Sequence, residues 1–141
     1  MYAAYLKARR GSKSFEGPFY DCQVVSLEKG TPGQFLGEFV IRMDEVGDYF
    51  DNGMGTVHGG AIATFVDNLT CGAVGVLDLK HRWNSVSVSI AVDYLNAAKI
   101  GSGLIFRARV NKIGKTLAFA TCDVEDLNGK VLMKSSHTMA F

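Results

Sequence analysis

One long stretch of helical periodicity, set among stretches of strand periodicity, limits this chain most narrowly. From His58 to Leu77, the residues Ile62, Phe65, Val66, Leu69, Ala73 and Val76 recur at helical spacing and form one apolar stripe. The period then changes. Val86, Val88, Ile90 and Val92 alternate with Ser87, Ser89, Ala91 and Asp93, the spacing of a strand. Residues 20–27, 34–43, 104–110, 117–124 and 131–141 also have strand character. Lys29-Gly30-Thr31-Pro32-Gly33, Gly114-Lys115 and Asn128-Gly129 read as turns, the last being a strong hairpin signal. Residues 44–57 read as loop, and residues 2–14 as a short helix ended by Gly17-Pro18.

Two strands, one long helix and four strands make an α+β order rather than alternating βαβ units. A curved antiparallel sheet of about six strands, wrapped around the central helix, would bury the apolar stripe. The 141 residues suffice for a single domain, with residues 1–17 as an N-terminal helical extension.

Charge narrows the partners. Fifteen Lys and Arg stand against 14 Asp and Glu, so the chain lacks the basic footprint of a nucleic-acid binder. Asp67 and Asn68 interrupt the best apolar run, so no integral membrane segment is expected. Cys22, Cys71 and Cys122 lie far apart without a CxxC pair, and the histidines lack ligand spacing, which predicts no metal centre. Three thiols without a secretory signal suggest an intracellular protein. Lys7, Arg9, Arg10 and Lys13 precede the first acid, Glu16, and leave cytoplasm and mitochondrion both open.

Asp67 is the odd residue of the helix. At about 100° per residue it falls well off the apolar stripe, among Ala63, Thr70, Cys71 and Val74. An acid flanked by small residues suits a cavity wall or a close interface, although an exposed acid on a polar face would read the same way. The approach to the helix, Asn52 through Gly60 (NGMGTVHGG), favours the first reading. Backbone N–H groups at a helix start, with no Cβ in the way, can stabilise an oxyanion, and Asn52 can add a side-chain donor.

The segment from Asn52 through Asp67, with Val86-Ser87-Val88, Asp93-Tyr94-Leu95, Gly114 to Phe119 and Ser136-His137-Thr138, resembles the PaaI-like hotdog acyl-CoA thioesterases, particularly the thioesterase superfamily member 2 type. The likeness covers roughly residues 50–141. It departs in Lys80-His81-Arg82-Trp83-Asn84 and at Ser89 and Asp93, positions bearing on acyl selectivity. The resemblance implies a hotdog fold and hydrolysis of a fatty or aryl acyl-CoA. Asp67 would be general base or nucleophile. The Gly59 N–H and Asn52 would polarise the carbonyl, with His58 beside the leaving group and Ser87 holding the water. Gly60, Thr70 and His137 are expected on the substrate-binding side. It further implies a homodimer or homotetramer, with Asp67 and Ser87 of one subunit facing Asn52, His58 and Gly59 of the next.

The chemistry agrees with that reading. Thioester cleavage needs a base, an oxyanion site and room for a thiol. No G-x-S-x-G elbow is present, so a serine nucleophile is not expected. No cofactor is expected beyond the coenzyme A of the substrate. Its phosphates call for a basic lip, for which Arg109, Lys112 and Lys115 are candidates, with Arg107 beside them. Two other readings compete: a hotdog hydratase or dehydratase, and a non-catalytic acyl-CoA-binding module.

Overall fold

The computed structural model describes residue 13 and residues 17–80 and 82–141. The helix expected over 2–14 and the loop residue His81 therefore lie outside the described residues, Lys13 excepted. A 3-10 turn at Gly17–Tyr20 leads into strand β1 (Gln23–Lys29) and β2 (Gly37–Met43). A second 3-10 turn at Asp48–Phe50, within the expected loop, precedes helix α1 (Gly59–Leu77). Four strands follow: β3 (Val86–Tyr94), β4 (Leu104–Ile113), β5 (Leu117–Asp126) and β6 (Val131–Ala140). All pair antiparallel in one sheet of order β1-β2-β4-β5-β6-β3. This is the expected six-stranded hotdog architecture.

Alternation along the strands explains the packing. Leu104, Phe106, Ala108 and Val110 of β4, and Ala118, Ala120, Cys122 and Val124 of β5, are buried toward α1. Cross-strand partners such as Ala108 and Cys122 keep the sheet centre thin, which lets a helix approach closely. From α1, Ile62, Phe65, Val66, Leu69 and Ala73 fill the opposing side, as the stripe predicted. Phe65 anchors an aromatic cluster, its ring centre 4.3 Å from Phe19, 5.2 Å from Phe50 and 5.3 Å from Phe106.

Two differences from the sequence reading affect the site. Helix α1 is long and apolar enough to cross a membrane by length and composition, even with Asp67 and Asn68 in it. Half of that stretch is buried, as in the core helix of a folded domain. The second difference is in β3. The chain reaches the sheet edge with Val86, Ser87, Val88, Ser89 and Ile90 all exposed, instead of alternating. A register shift between Ser87 and Ser89 against β6 marks a bulge there. Such a bulge re-aims side chains, and it sits at Ser87.

Candidate active site

The middle of α1 faces the β3–β6 edge, and there four side chains meet. Ser87 Oγ lies 2.7 Å from Asp67 Oδ1 and 3.0 Å from His137 Nε2. His137 Nε2 is itself 3.4 Å from Asp67 Oδ1, and its Nδ1 is 2.6 Å from Thr70 Oγ1. The His137 side chain is fully buried, whereas that of Asp67 is 46% exposed. An acid with an open face, backed by a closed polar chain, is what a water-activating carboxylate requires.

Proton counting gives the chain a direction. Ser87 has one hydroxyl hydrogen, and the carboxylate is its stronger acceptor. The serine oxygen then accepts from His137 Nε2–H. In a neutral imidazole Nδ1 is left to accept from the Thr70 hydroxyl. Burial holds the His137 pKa below the ordinary histidine value, partly opposed by the charge of Asp67. The donors therefore run His137 to Ser87 to Asp67, with the single Thr70 hydrogen shared between His137 Nδ1 and the Val66 carbonyl. Cys71 Sγ, one helical turn beyond the acid, is a further 3.8 Å contact to Oδ1. Oδ2 of Asp67 has no hydrogen-bond partner among the described residues.

The second group of expected residues assembles at the start of α1. His58 caps the helix, its Nδ1 accepting from the Gly60 N–H at 2.9 Å. The Ala61 and Ile62 N–H groups donate to the His58 carbonyl at 2.9 and 3.2 Å. That leaves the Gly59 N–H as the helix-start donor with no acceptor among the described residues. Asn52 Nδ2 donates to Thr56 Oγ1 at 2.7 Å and keeps its second hydrogen, while Oδ1 accepts from the Met54 N–H. Tyr94, which sequence reasoning gave no role, donates its hydroxyl to the Gly59 carbonyl at 2.7 Å. A Cβ on residue 59 would sit 3.0 Å from its ring, close enough that the ring would have to shift by a few tenths of an ångström.

Within one chain these two groups do not meet. Asp67 is eight helical steps on from Gly59, about 12 Å along the axis.

Several expected roles change with the structure. Thr70 is fully buried, its hydroxyl engaged with His137 and with the Val66 carbonyl at 2.7 Å, so it supports the site rather than lining it. His137 likewise acts from within the wall. The Gly60 amide is committed to His58, which removes it as a second oxyanion donor. Arg109 is ion-paired with Glu38, and Arg107 with Glu125, which takes both out of a free basic lip. Lys112 and Lys115 are exposed, and Lys115 lines a groove of about 1070 Å³ near the C-terminal end of α1. Phe50 and Phe65 are core residues, while Trp83 and Phe119 are exposed.

Sequence reasoning missed one further contact. Asp78 caps the end of α1, and Arg82 grips it through Nε to Oδ2 at 2.8 Å and Nη2 to Oδ1 at 3.1 Å. The same guanidinium donates to the Lys115 and Gly114 carbonyls at 2.7 and 3.1 Å and stacks 3.6 Å over Phe141. Arg82 stands in the segment where the sequence departs from the resembled family.

The comparisons with known proteins agree with this fold. The family model described as Thioesterase superfamily matches residues 54–133. Acyl-coenzyme A thioesterase 13 of Homo sapiens is 31% identical over 134 residues, covering 94% of this chain and 89% of the human one. The crystal structure of zebra fish thioesterase superfamily member 2 superposes with a TM-score of 0.85 at 33% identity, over 99% of this chain and 94% of that one. Its counterpart from Mus musculus gives 0.76 at 29% identity, over 99% and 97%. With six strands around one helix, this chain belongs to the thioesterase superfamily, in its hotdog-fold, thioesterase superfamily member 2 branch.

Proposed function

We propose that this chain hydrolyses acyl-CoA to a free acid and coenzyme A, with Asp67 as general base. The observation that carries the reading is the asymmetry of the Asp67 carboxylate. Oδ1 is held by Ser87, while Oδ2 is bare on an open face. Membership in the thioesterase superfamily and the likeness to acyl-coenzyme A thioesterase 13 support thioester cleavage as the reaction.

In this reading Oδ2 takes a proton from water as the water oxygen attacks the thioester carbonyl carbon. Negative charge gathers on the carbonyl oxygen, the carbon–sulfur bond breaks, and the thiolate of coenzyme A departs. A positioned base contributes about 10²–10⁴-fold and an oxyanion donor on the order of 10²–10³-fold. Direct attack by Oδ2, giving a transient anhydride, is the variant of this reaction, and ¹⁸O-water separates the two. Label enters the Asp67 carboxylate in a single turnover only if the anhydride forms.

The oxyanion donors come from a second copy of the chain. Gly59 N–H and Asn52 Nδ2 are too far along the helix to serve the Asp67 of their own chain. Strand β3 ends the sheet with an unpaired edge and exposed Val86, Val88 and Ile90, the type of edge that a two-fold partner covers. A homodimer, or a dimer of such dimers, would complete each site from both chains. No cofactor beyond the substrate's own coenzyme A enters the reaction.

Free-thiol release from a panel running from acetyl- to palmitoyl-CoA, with phenylacetyl-CoA included, tests the reading. Saturable release that falls about 10²–10⁴-fold in Asp67→Ala, with the oligomer intact, is the expected result. Binding of acyl-CoA without release of thiol from any member of the panel would sink it.

A further inference from the structure

The wall that holds Asp67 contains more ligating chemistry than hydrolysis needs. Cys71 Sγ stands beside the acid, and His137 Nε2 closes the other side. The three ligand atoms, an Asp67 carboxylate oxygen, Cys71 Sγ and a ring nitrogen of His137, all lie within 4.8 Å of one another. Oδ1 to Nε2 is 3.4 Å and Oδ1 to Sγ is 3.8 Å. In a tetrahedral zinc site with bonds of ~2.0–2.3 Å, neighbouring ligand atoms lie ~3.3–3.6 Å apart. Two of the three edges of the cluster are already close to that spacing, and the third is within 4.8 Å.

We propose that Asp67, Cys71 and His137 form a binding site for a thiophilic divalent cation of the Zn²⁺ class, and that its occupancy stops hydrolysis. The inhibitory half rests on Asp67 being the base, as proposed above.

Three independent features fit an ion there. Charge balances, since an aspartate, a thiolate and a neutral imidazole together carry two negative charges against two positive. Binding therefore releases one proton, from the thiol. The His137 support can also switch. To ligate through Nε2 the imidazole must carry its hydrogen on Nδ1, which then donates to Thr70 Oγ1 at 2.6 Å. The Thr70 hydroxyl turns to the Val66 carbonyl at 2.7 Å. A ligating histidine usually has this kind of partner on its other nitrogen. Finally, the Asp67 side chain is 46% exposed, so an ion can enter from the open side.

A mixed sulfur, nitrogen and oxygen set selects Zn²⁺ over Mg²⁺ or Ca²⁺. A cation on Oδ1 displaces the Ser87 hydrogen bond there, lowers the basicity of the whole Asp67 carboxylate including Oδ2, and draws His137 Nε2 away from Ser87. Sequence spacing hides the site, because its ligands come from positions 67, 71 and 137.

The test uses the full chain, cleared of metal by chelator, and titrates Co²⁺ as a spectroscopic probe. Wild type, Cys71→Ser and Cys71→Ala are compared for the sulfur-to-cobalt charge-transfer band. Zn²⁺ inhibition is followed in parallel by loss of thioester absorbance, so that product thiol does not interfere. The expected result is a band in wild type that is absent from both variants, with the Zn²⁺ response of each protein referred to its own metal-free hydrolysis rate. Micromolar Zn²⁺ should inhibit wild type reversibly, Mg²⁺ should not, and the Zn²⁺ midpoint should rise at least about tenfold in both variants. No band in wild type, a band that persists in the variants, or equal inhibition of all three proteins would overturn the site. A cobalt band with Zn²⁺ leaving hydrolysis untouched, or speeding it, would overturn the inhibition and count against Asp67 as base. Loss of the band alone leaves the thioesterase reading standing, since Asp67→Ala tests that without metal.

Discussion

Asp67 differs from an ordinary surface carboxylate through the donors behind it. A hydrogen bond to a charged acceptor contributes about 1.5–3 kcal/mol, so Ser87→Ala should cost turnover roughly ten- to hundredfold without unfolding the chain. Steady-state kinetics on the folded variant checks this, and kcat rather than KM should carry the loss. His137 supplies the next link, and its environment sets a pH response. Burial depresses its pKa in the folded state, so the unfolded chain binds more protons near and below the ordinary value. Its contribution to stability is thus present above the unfolded pKa of about 6.5 and is lost as pH falls through the folded value. An imidazole NMR titration of His137 should therefore show a midpoint below the free-histidine value. The drop in urea midpoint between neutral pH and pH about 5 should shrink in His137→Gln. An unchanged drop would assign that acid sensitivity to other groups.

At the scale of elements, α1 is fastened at both ends by contacts from distant strands. At its start, Tyr94 of β3 holds the Gly59 carbonyl and shapes the loop that carries His58 and Asn52. At its end, Arg82 ties the Asp78 cap to the β4–β5 turn and to Phe141. Asp78 is buried, and the Arg82 guanidinium bonded to it holds its carboxyl well below the usual carboxylate range. A depressed carboxylate pKa stabilises the fold at pH above about 4, its unfolded value, and that stability is lost progressively as the pH falls further. Arg82→Ala leaves a buried charge without its partner and should lower the melting temperature by several degrees. Asp78→Asn should remove the corresponding part of the acid sensitivity below pH about 4. Thermal scans across pH check both, and coincident wild-type and variant curves would deny the clasp a stabilising role.

For the whole molecule, the central expectation is that one chain is half of a working site. Pairing across β3 would bury Val86, Val88 and Ile90 and bring a foreign helix start toward Asp67. A charge on that edge, as in Val88→Lys, should shift the oligomer toward monomer and remove activity with it, read by light scattering and thiol release together. Complementation is the sharper test. Asp67→Ala and Asn52→Ala homo-oligomers should each be nearly inactive. Mixing and refolding them should restore roughly a quarter of wild-type activity, because a heterodimer holds one intact site. Failure to recover any activity from a mixture shown to exchange subunits would place the donors elsewhere.

The sequence alone determined what depends on neighbouring residues and on period. The span of α1, six strands in order, the turns at Gly30 to Gly33 and Asn128-Gly129, and Asp67 as the odd acid were all legible there. These follow from side-chain alternation and from the cost of burying an acid, which one chain segment carries by itself. Tertiary structure decided what depends on residues far apart in the chain. The bulge that aims Ser87 appears only against β6, and the burial that makes Thr70 and His137 supports needs β6 beside α1. The pairing of Arg109 with Glu38 requires β2 against β4. The Arg82 contacts to the Lys115 and Gly114 carbonyls have no signature in spacing, because those partners lie 33 and 32 residues away. Local preference places a residue on a helix or strand, but only the packed sheet determines which charges cancel, which hydroxyls are enclosed and which carboxylate oxygen stays open.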